Sequence, residues 1–200
     1  MPLADTAAPP PPETLPVFVV SGLPRSGTSL MMRMLELGGL PVLTDGERAA
    51  DVDNPRGYYE LERVKRLKAD SSWVQGAEGH VVKVISQLLP DLPPSHRYKV
   101  VFMRRHLDEV LASQKKMLAH RGEDNPSQDQ EMKELFIQHL DETERWLRQA
   151  PHVEVLYLNY TRVMTEPLAQ SLRLARFLDV PVSAEKMASA VEPSLYRNRV

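Results

Sequence analysis

The stretch SGLPRSGTSL, Ser21 to Leu30, holds two glycines five residues apart, an arginine between them and two hydroxyl side chains after them. It follows the apolar run VFVV at 17–20 and leads into Leu30, Met31, Met34, Leu35 and Leu37, which have helical spacing and stop at Gly38-Gly39. Strand, glycine loop and helix start together make an anion cradle. The glycines let successive N–H groups turn inward, and the helix N-terminus adds partial positive charge. Thr28 and Ser29 add hydroxyl donors. Arg25 adds a full charge on a planar fork suited to oxyanions. The loop departs from G-x-x-x-x-G-K-[ST], because Thr28 stands where the nucleotide-binding loop has lysine. No aspartate follows VVFM, 100–103, to hold magnesium; Arg104 and Arg105 do. Metal-assisted phosphoryl transfer is therefore disfavoured. The plainer alternative is a tight turn packing a helix on a sheet.

Two more groups of residues bear on an anion. In KVVFMRRHLDEVLAS, Arg105 ends an apolar run and Ser113 follows eight residues later, in a helical pattern. A guanidinium and a hydroxyl so placed suit a second phosphate, and a solvated basic pair with a surface serine is the alternative. In VVKVISQLLP, Lys83 interrupts an apolar run. A lysine there either emerges at the carboxyl edge of the sheet beside an anion or discourages pairing at a sheet edge.

These side chains need a frame. The runs at 17–21, 81–85, 98–103 and 153–158 are nearly continuous in apolar residues, as strands covered on both faces are; PVLT at 41–44 is a weaker fifth. Helical periodicity links Leu107 to Leu118, and Met132 to Leu147 after a Ser127–Gln130 capping box. It also links Leu168 to Leu178, with Thr165 expected as cap and Pro167 in the first turn. Alternating strands and helices predict an α/β three-layer sandwich with a central, mainly parallel sheet of about five strands. Its site is expected at the carboxyl ends of the strands. Residues 1–16, rich in proline and alanine, read as a flexible tail, and 17–200 as one domain.

Composition narrows the function. There is no cysteine, so thiolate zinc sites and cysteine nucleophiles are excluded, and six scattered histidines show no metal-ligand spacing. A net charge of −2 gives no global basic field for nucleic acid. No apolar run is long enough for a membrane span, and the N-terminus has no secretory pattern, which makes a cytoplasmic protein the expectation.

Taken together, the motifs resemble the sulfotransferases that use 3′-phosphoadenosine 5′-phosphosulfate (PAPS). GLPRSGTSLMMRML is similar to their 5′-phosphosulfate loop, most of all in the tyrosylprotein enzymes. KVVFMRRHLDEVLAS resembles the 3′-phosphate motif of the cytosolic enzymes, and KVISQLLP their lysine segment. VLYLNYTRVMTEPLAQSLRLARFLDVP resembles the family's strand–tyrosine–helix segment. The likeness runs in the family's order over about residues 17–181. It implies a P-loop-like domain that moves a sulfuryl group from PAPS to a hydroxyl or amine acceptor, releases 3′,5′-bisphosphoadenosine (PAP) and needs no metal. By position, Arg25, Ser26, Gly27, Thr28 and Ser29 would hold the phosphosulfate, Arg105 and Ser113 the 3′-phosphate, and Tyr160 the adenine. Lys83 would sit at the bridging oxygen. Arg25 and Arg105 would then grip opposite ends of one adenosine ligand. A nucleotide kinase and a non-catalytic nucleotide-binding domain are the alternatives.

Some positions depart from the family pattern. The histidine base of the cytosolic enzymes is Ile85 here. Their Asn-Pro after the arginine is His106-Leu107, and their Glu-Asp after the tyrosine is Thr161-Arg162. The glycine-rich C-terminal phosphate motif is missing; a solvated tail is the first reading of Arg197 and Arg199, and substitution for that motif the alternative. A base must then come from a carboxylate in LTDGERAADVDNPRGYYELE. The tyrosylprotein enzymes place a glutamate about twenty residues beyond the loop arginine, and DGER resembles that segment through Glu47. Glu47 is the expected base, with Asp45 next and Glu60 a further choice; a solvated acidic loop is the alternative. Tyr58 and Tyr59 are candidates for the acceptor pocket.

Overall fold

The structure is a computed structural model, and it describes residues 15–47, 51, 54, 57–120 and 129–192. Five strands form its sheet: β1 Val17–Gly22, β2 Val42–Leu43, β3 Val81–Lys83, β4 Tyr98–Arg104 and β5 Val153–Asn159. They lie in the order β2-β3-β1-β4-β5, and every pairing is parallel. The central strand β1 is buried along its whole length, which is why its sequence is apolar without alternation. Its residues point in turn into two cores. Phe18 and Val20 meet Met31, Met34, Leu35, Val163, Leu174 and Met187 on one face; Val17 and Val19 meet Trp73, Val74, Leu89 and Leu147 on the other. Three layers follow from that two-sided burial, as the apolar runs predict.

The first layer comprises α1 Thr28–Gly38, α4 Tyr160–Thr165, α5 Pro167–Leu178 and α6 Ala184–Ser189. The second comprises the 3-10 turns at Glu62–Arg66, Ser72–Val74 and Ser86–Asp91, together with α3 Asp129–Gln149. Between β4 and α3 runs α2 Leu107–His120. Ser127 of the expected capping box and most of the 1–16 tail fall outside the described residues, as do Arg197 and Arg199.

Local chemistry corrects two helix expectations. Thr165 does not cap α5: its hydroxyl donates to the Thr161 carbonyl at 3.0 Å, and Glu166 holds the N-cap position with Pro167 just inside. The apolar periodicity from residue 168 also hides a separate short helix before it. α4 starts at Tyr160 because the Asn159 side chain accepts from Arg162 N at 3.2 Å. α6 has the same device, with Ser183 accepting from Lys186 N at 3.2 Å. Only Val42–Leu43 of the expected 41–44 strand and 81–83 of 81–85 pair, so Ile85 lies beyond the sheet and is exposed.

Sheet register aligns the residues of interest. Val20 pairs with Lys83, Gly22 with Met103, and Arg104 with Asn159. Lys83, the loop after Gly22, Arg105 and Tyr160 therefore all leave the sheet along its carboxyl edge.

Candidate functional site

The loop from Gly22 to Gly27 is shaped by close approaches. A Cβ on Gly22 would come within 2.7 Å of the Met103 carbonyl oxygen, and one on Gly27 within 2.4 Å of the Tyr160 ring. Gly27 also has φ +98, and it caps α1 without a side-chain hydrogen bond. The first-turn N–H groups of α1 have no intrahelical acceptor by construction. No acidic residue occupies that turn to compete with an incoming anion. Between the glycines, Arg25 adopts a left-handed backbone, φ +67, which a side chain rarely takes. Two contacts hold it there. Its carbonyl accepts from Arg105 Nη1 at 3.1 Å, and its own Nε donates to Ser113 Oγ at 2.9 Å.

Arg105 follows β4 and is nearly buried. Its Nε donates to Glu109 Oε2 at 2.8 Å, and its guanidinium carbon lies 4.3 Å from the centre of the Tyr160 ring. Arg105, Glu109 and Ser113 recur every four residues, so α2 and its lead-in carry them on one face. Tyr160 touches both halves of the site, packing on Gly27 and stacking under Arg105.

Lys83 is nearly buried at the end of β3, with its ammonium donating to the Tyr58 carbonyl and 3.9 Å from Glu60 Oε1. The Ser29 hydroxyl donates to the same carbonyl at 3.4 Å. The Tyr58 phenol is held by Asp51, which accepts at 2.7 and 2.8 Å.

These groups line one cavity of about 570 Å³. Its walls include the loop from Gly22 to Arg25 and Gly27 to Leu30, Lys83, Ile85, Arg105, Ser113 and Tyr160. Of the expected site residues, Arg25, Gly27, Thr28, Ser29, Lys83, Arg105, Ser113 and Tyr160 meet there. The two arginines are neighbours, joined by the bond from Arg105 Nη1 to the Arg25 carbonyl. Ser26 is the exception in the loop. It is buried, its hydroxyl donates to the Leu23 carbonyl at 2.7 Å, and it does not line the cavity.

The expected base does not reach the site. Glu47 is exposed, lies off the cavity wall, and donates its N–H to Asp45 Oδ1 at 3.1 Å. Asp45 is also outside: its carboxylate accepts the backbone N–H groups of Glu62 and Glu47, which hold its pKa below the ordinary value. Glu60 does line the cavity, beside Lys83. Tyr58 lines it too, whereas Tyr59 turns away and donates to Glu36 on α1. Burial and that carboxylate raise the Tyr59 pKa to about 12.

Sequence reasoning missed Glu109, although its place four residues after Arg105 on a helix is a legible pairing signal. It also missed the Tyr58 carbonyl, a backbone group that no residue type announces. Among the described residues no cluster of three His, Asp or Glu is placed to hold a metal, and no helix is long and apolar enough to cross a membrane.

Comparison with known proteins gives this arrangement a context. A family model described as Sulfotransferase domain matches residues 15–198. Among solved structures, sulfotransferase STF9 from Mycobacterium avium aligns with a TM-score of 0.51 at 13% identity, over 90% of this chain and 67% of that one. The sulfotransferase domain of the Synechococcus PCC 7002 olefin synthase aligns with a TM-score of 0.49 at 16% identity, over 91% of this chain and 80% of that one. A sulfotransferase from Alicyclobacillus acidocaldarius gives 0.49 and 16%, over 85% and 82%. A search of curated proteins found no significant match.

Proposed function

The chain belongs to the sulfotransferase domain family, and from that premise we propose that it moves the sulfuryl group of PAPS to a hydroxyl or amine acceptor, with Arg25, Lys83 and Glu60 at the reacting atoms. The observation that carries this reading is the convergence of Arg25, Lys83, Arg105, Ser113 and Tyr160 on one cavity. A donor with a 5′-phosphosulfate and a separate 3′-phosphate needs two anion-binding groups and no magnesium clamp. The loop without lysine meets that need, and the kinase alternative is not favoured.

In this reading the phosphosulfate lies against the α1 N-terminus, with Gly27, Thr28 and Ser29 around it. Ser26 contributes by closing the loop on Leu23 rather than by touching the donor. Arg105 and Ser113 take the 3′-phosphate, and Tyr160 supports the adenosine. The acceptor oxygen attacks sulfur in line, the sulfur–oxygen bond to the 5′-phosphate breaks, and PAP leaves. Glu60 takes the proton from the acceptor. Lys83 and Arg25 stabilise the charge growing on the departing phosphate oxygen. Arginine stays protonated throughout, so its part is electrostatic. Glu60 replaces Glu47 as base because it alone of the two lines the cavity. The cysteine-free composition is compatible with a cytoplasmic site of action.

The test is a thermal-shift comparison of PAP with ATP–magnesium. A ligand that binds only the folded state raises the melting temperature by mass action. PAP is expected to give the larger shift, and Arg105→Ala to lose most of that advantage. A larger shift with ATP–magnesium overturns the proposal.

A further inference from the structure

Glu109 is 3% exposed and has no part in the chemistry above. A carboxylate that close to a phosphate-binding arginine needs a reason, since its charge opposes the ligand. The geometry supplies one. Its Oε2 accepts from Arg105 Nε at 2.8 Å, on a side chain that is itself only 7% exposed. Arg105 Nη1 is fixed at the same time on the Arg25 carbonyl, and the guanidinium carbon lies over the Tyr160 ring. Partners at the Nε edge, at Nη1 and at the Tyr160 ring orient the fork in a nearly dry wall of the cavity. Burying the arginine there without a counter-charge would be strongly unfavourable while the site is empty. Glu109 also sits in the first turn of α2, where a negative charge is favoured by the helix dipole.

We propose that Glu109 is a positioning residue for Arg105: it aims the guanidinium at the 3′-phosphate and thereby sets the preference for a 3′,5′-bisphosphorylated nucleotide over a 5′-monophosphate. This rests on the donor reading above. Glu109 acts through Arg105 and does not touch the ligand. Two effects compete at this position. Its charge weakens the attraction for a dianion, and its hydrogen bond fixes the donor geometry. Geometry wins because a guanidinium recognises phosphate through directed, paired N–H bonds, which a misaligned fork forfeits.

Equilibrium binding of PAP and of AMP to the full chain separates these effects. Glu109→Asp keeps the charge and moves the accepting oxygen back by about one bond length. It is expected to weaken PAP binding by about tenfold, the loss of one well-made charged hydrogen bond, with AMP binding within about twofold of the starting protein. Glu109→Gln, which keeps an oxygen able to accept from Arg105 Nε and removes the opposing charge, is expected to bind PAP within about threefold of the starting protein. With Arg105→Ala as background, Glu109→Asp should cost nothing further, because the residue it acts through is gone. PAP binding by Glu109→Asp at the original strength, a loss with Glu109→Gln as large as with Glu109→Asp, or equal losses for PAP and AMP overturns the inference while leaving the donor reading intact. A starting protein that binds PAP no better than AMP overturns both.

Discussion

Replacing Gly27 by alanine tests whether the anion loop and the tyrosine platform are locked together. Two costs follow from the structure. The first is backbone strain: φ is +98, a region that side chains rarely adopt, and residues forced there cost about 1–3 kcal/mol. The second is steric. The new Cβ would lie 2.4 Å from Tyr160 Cδ2 and 2.9 Å from Cε2. Tyr160 has little room to retreat, since it is 7% exposed and packed in the core shared with Met31 and Val163. Overpacking of this kind costs about 1–3 kcal/mol. The sum is about 2–6 kcal/mol. Gly39→Ala is the control, because Gly39 has φ +101 and no atom within 4 Å of its ideal Cβ. It carries the strain without the collision. Urea unfolding of both variants isolates the collision as their difference, about 1–3 kcal/mol. PAP titration should show a large loss of affinity for Gly27→Ala and little change for Gly39→Ala, which ends α1 far along the chain from the loop. Equal unfolding free energies for the two variants would show that the Tyr160 ring yields without cost. The clamp described between Gly27, Tyr160 and Arg105 would then be refuted.

Three further outcomes can be checked. Lys83→Met should lower turnover by about a hundredfold, measured as labelled sulfate moved from PAPS to the best acceptor of a hydroxyl panel, since one preorganised charge at the leaving oxygen is gone. In the same assay Glu60→Gln should lose at least about a hundredfold and Glu47→Gln stay near the starting rate; the reverse ranking returns the base to Glu47. His139 on α3 hydrogen-bonds to the buried Ser86 at 2.8 Å and approaches Thr143 at 3.3 Å, and burial depresses its pKa against a weaker upward pull from Glu142. The folded state therefore resists its protonation, so its contribution is constant above the unfolded value, about 6.5, and falls as pH drops through that value toward the folded one. Urea midpoints at pH 7.5 and 5.5 should differ more for the starting protein than for His139→Gln, and an equal pH dependence would exclude His139 as its source.

The sheet was legible because both of its faces are covered. Val17 to Val20, Val100 to Phe102 and Val81-Val82 are all buried, and only a strand sandwiched between layers needs such continuous apolarity. The helices were legible less evenly. The helical period of α3 shows between Met132 and Leu147, but Leu135 within that span is 54% exposed. The break between α4 and α5 escaped notice because Val163, Met164, Leu174 and Leu178 join one core despite lying on two helices. Only the capping side chain of Asn159 marks where the first begins, and it reads equally well as part of a loop.

The site divides along the same physical line. Lys83, Arg105 and Tyr160 line the cavity because each stands at or just beyond the end of a strand, where the register brings it to the carboxyl edge of the sheet. The choice of base failed to land there because the segment after β2 has no periodicity to orient it. Six carboxylates stand in that stretch, and distance along the chain from Arg25 selected Glu47. What brings Glu60 in instead is a set of contacts at the far end of the segment: its own carbonyl accepts from Asp45 N at 3.2 Å and Thr44 Oγ1 at 2.8 Å, next to β2. Those bonds tie Glu60 to the sheet edge and leave Glu47 on the outside of the turn. Backbone acceptors of this kind are common to every residue type, so no reading of side-chain identity ranks Glu60 above Glu47. The same reasoning covers Arg25. Its sequence position announces a charge at the loop, but its left-handed backbone and its bond to Ser113 arise from partners eighty and eighty-eight residues away. A loop arginine tethered to Ser113 makes the loop after β1 and helix α2 one mechanical unit, which a lysine, as a point charge without a planar fork, would couple less rigidly.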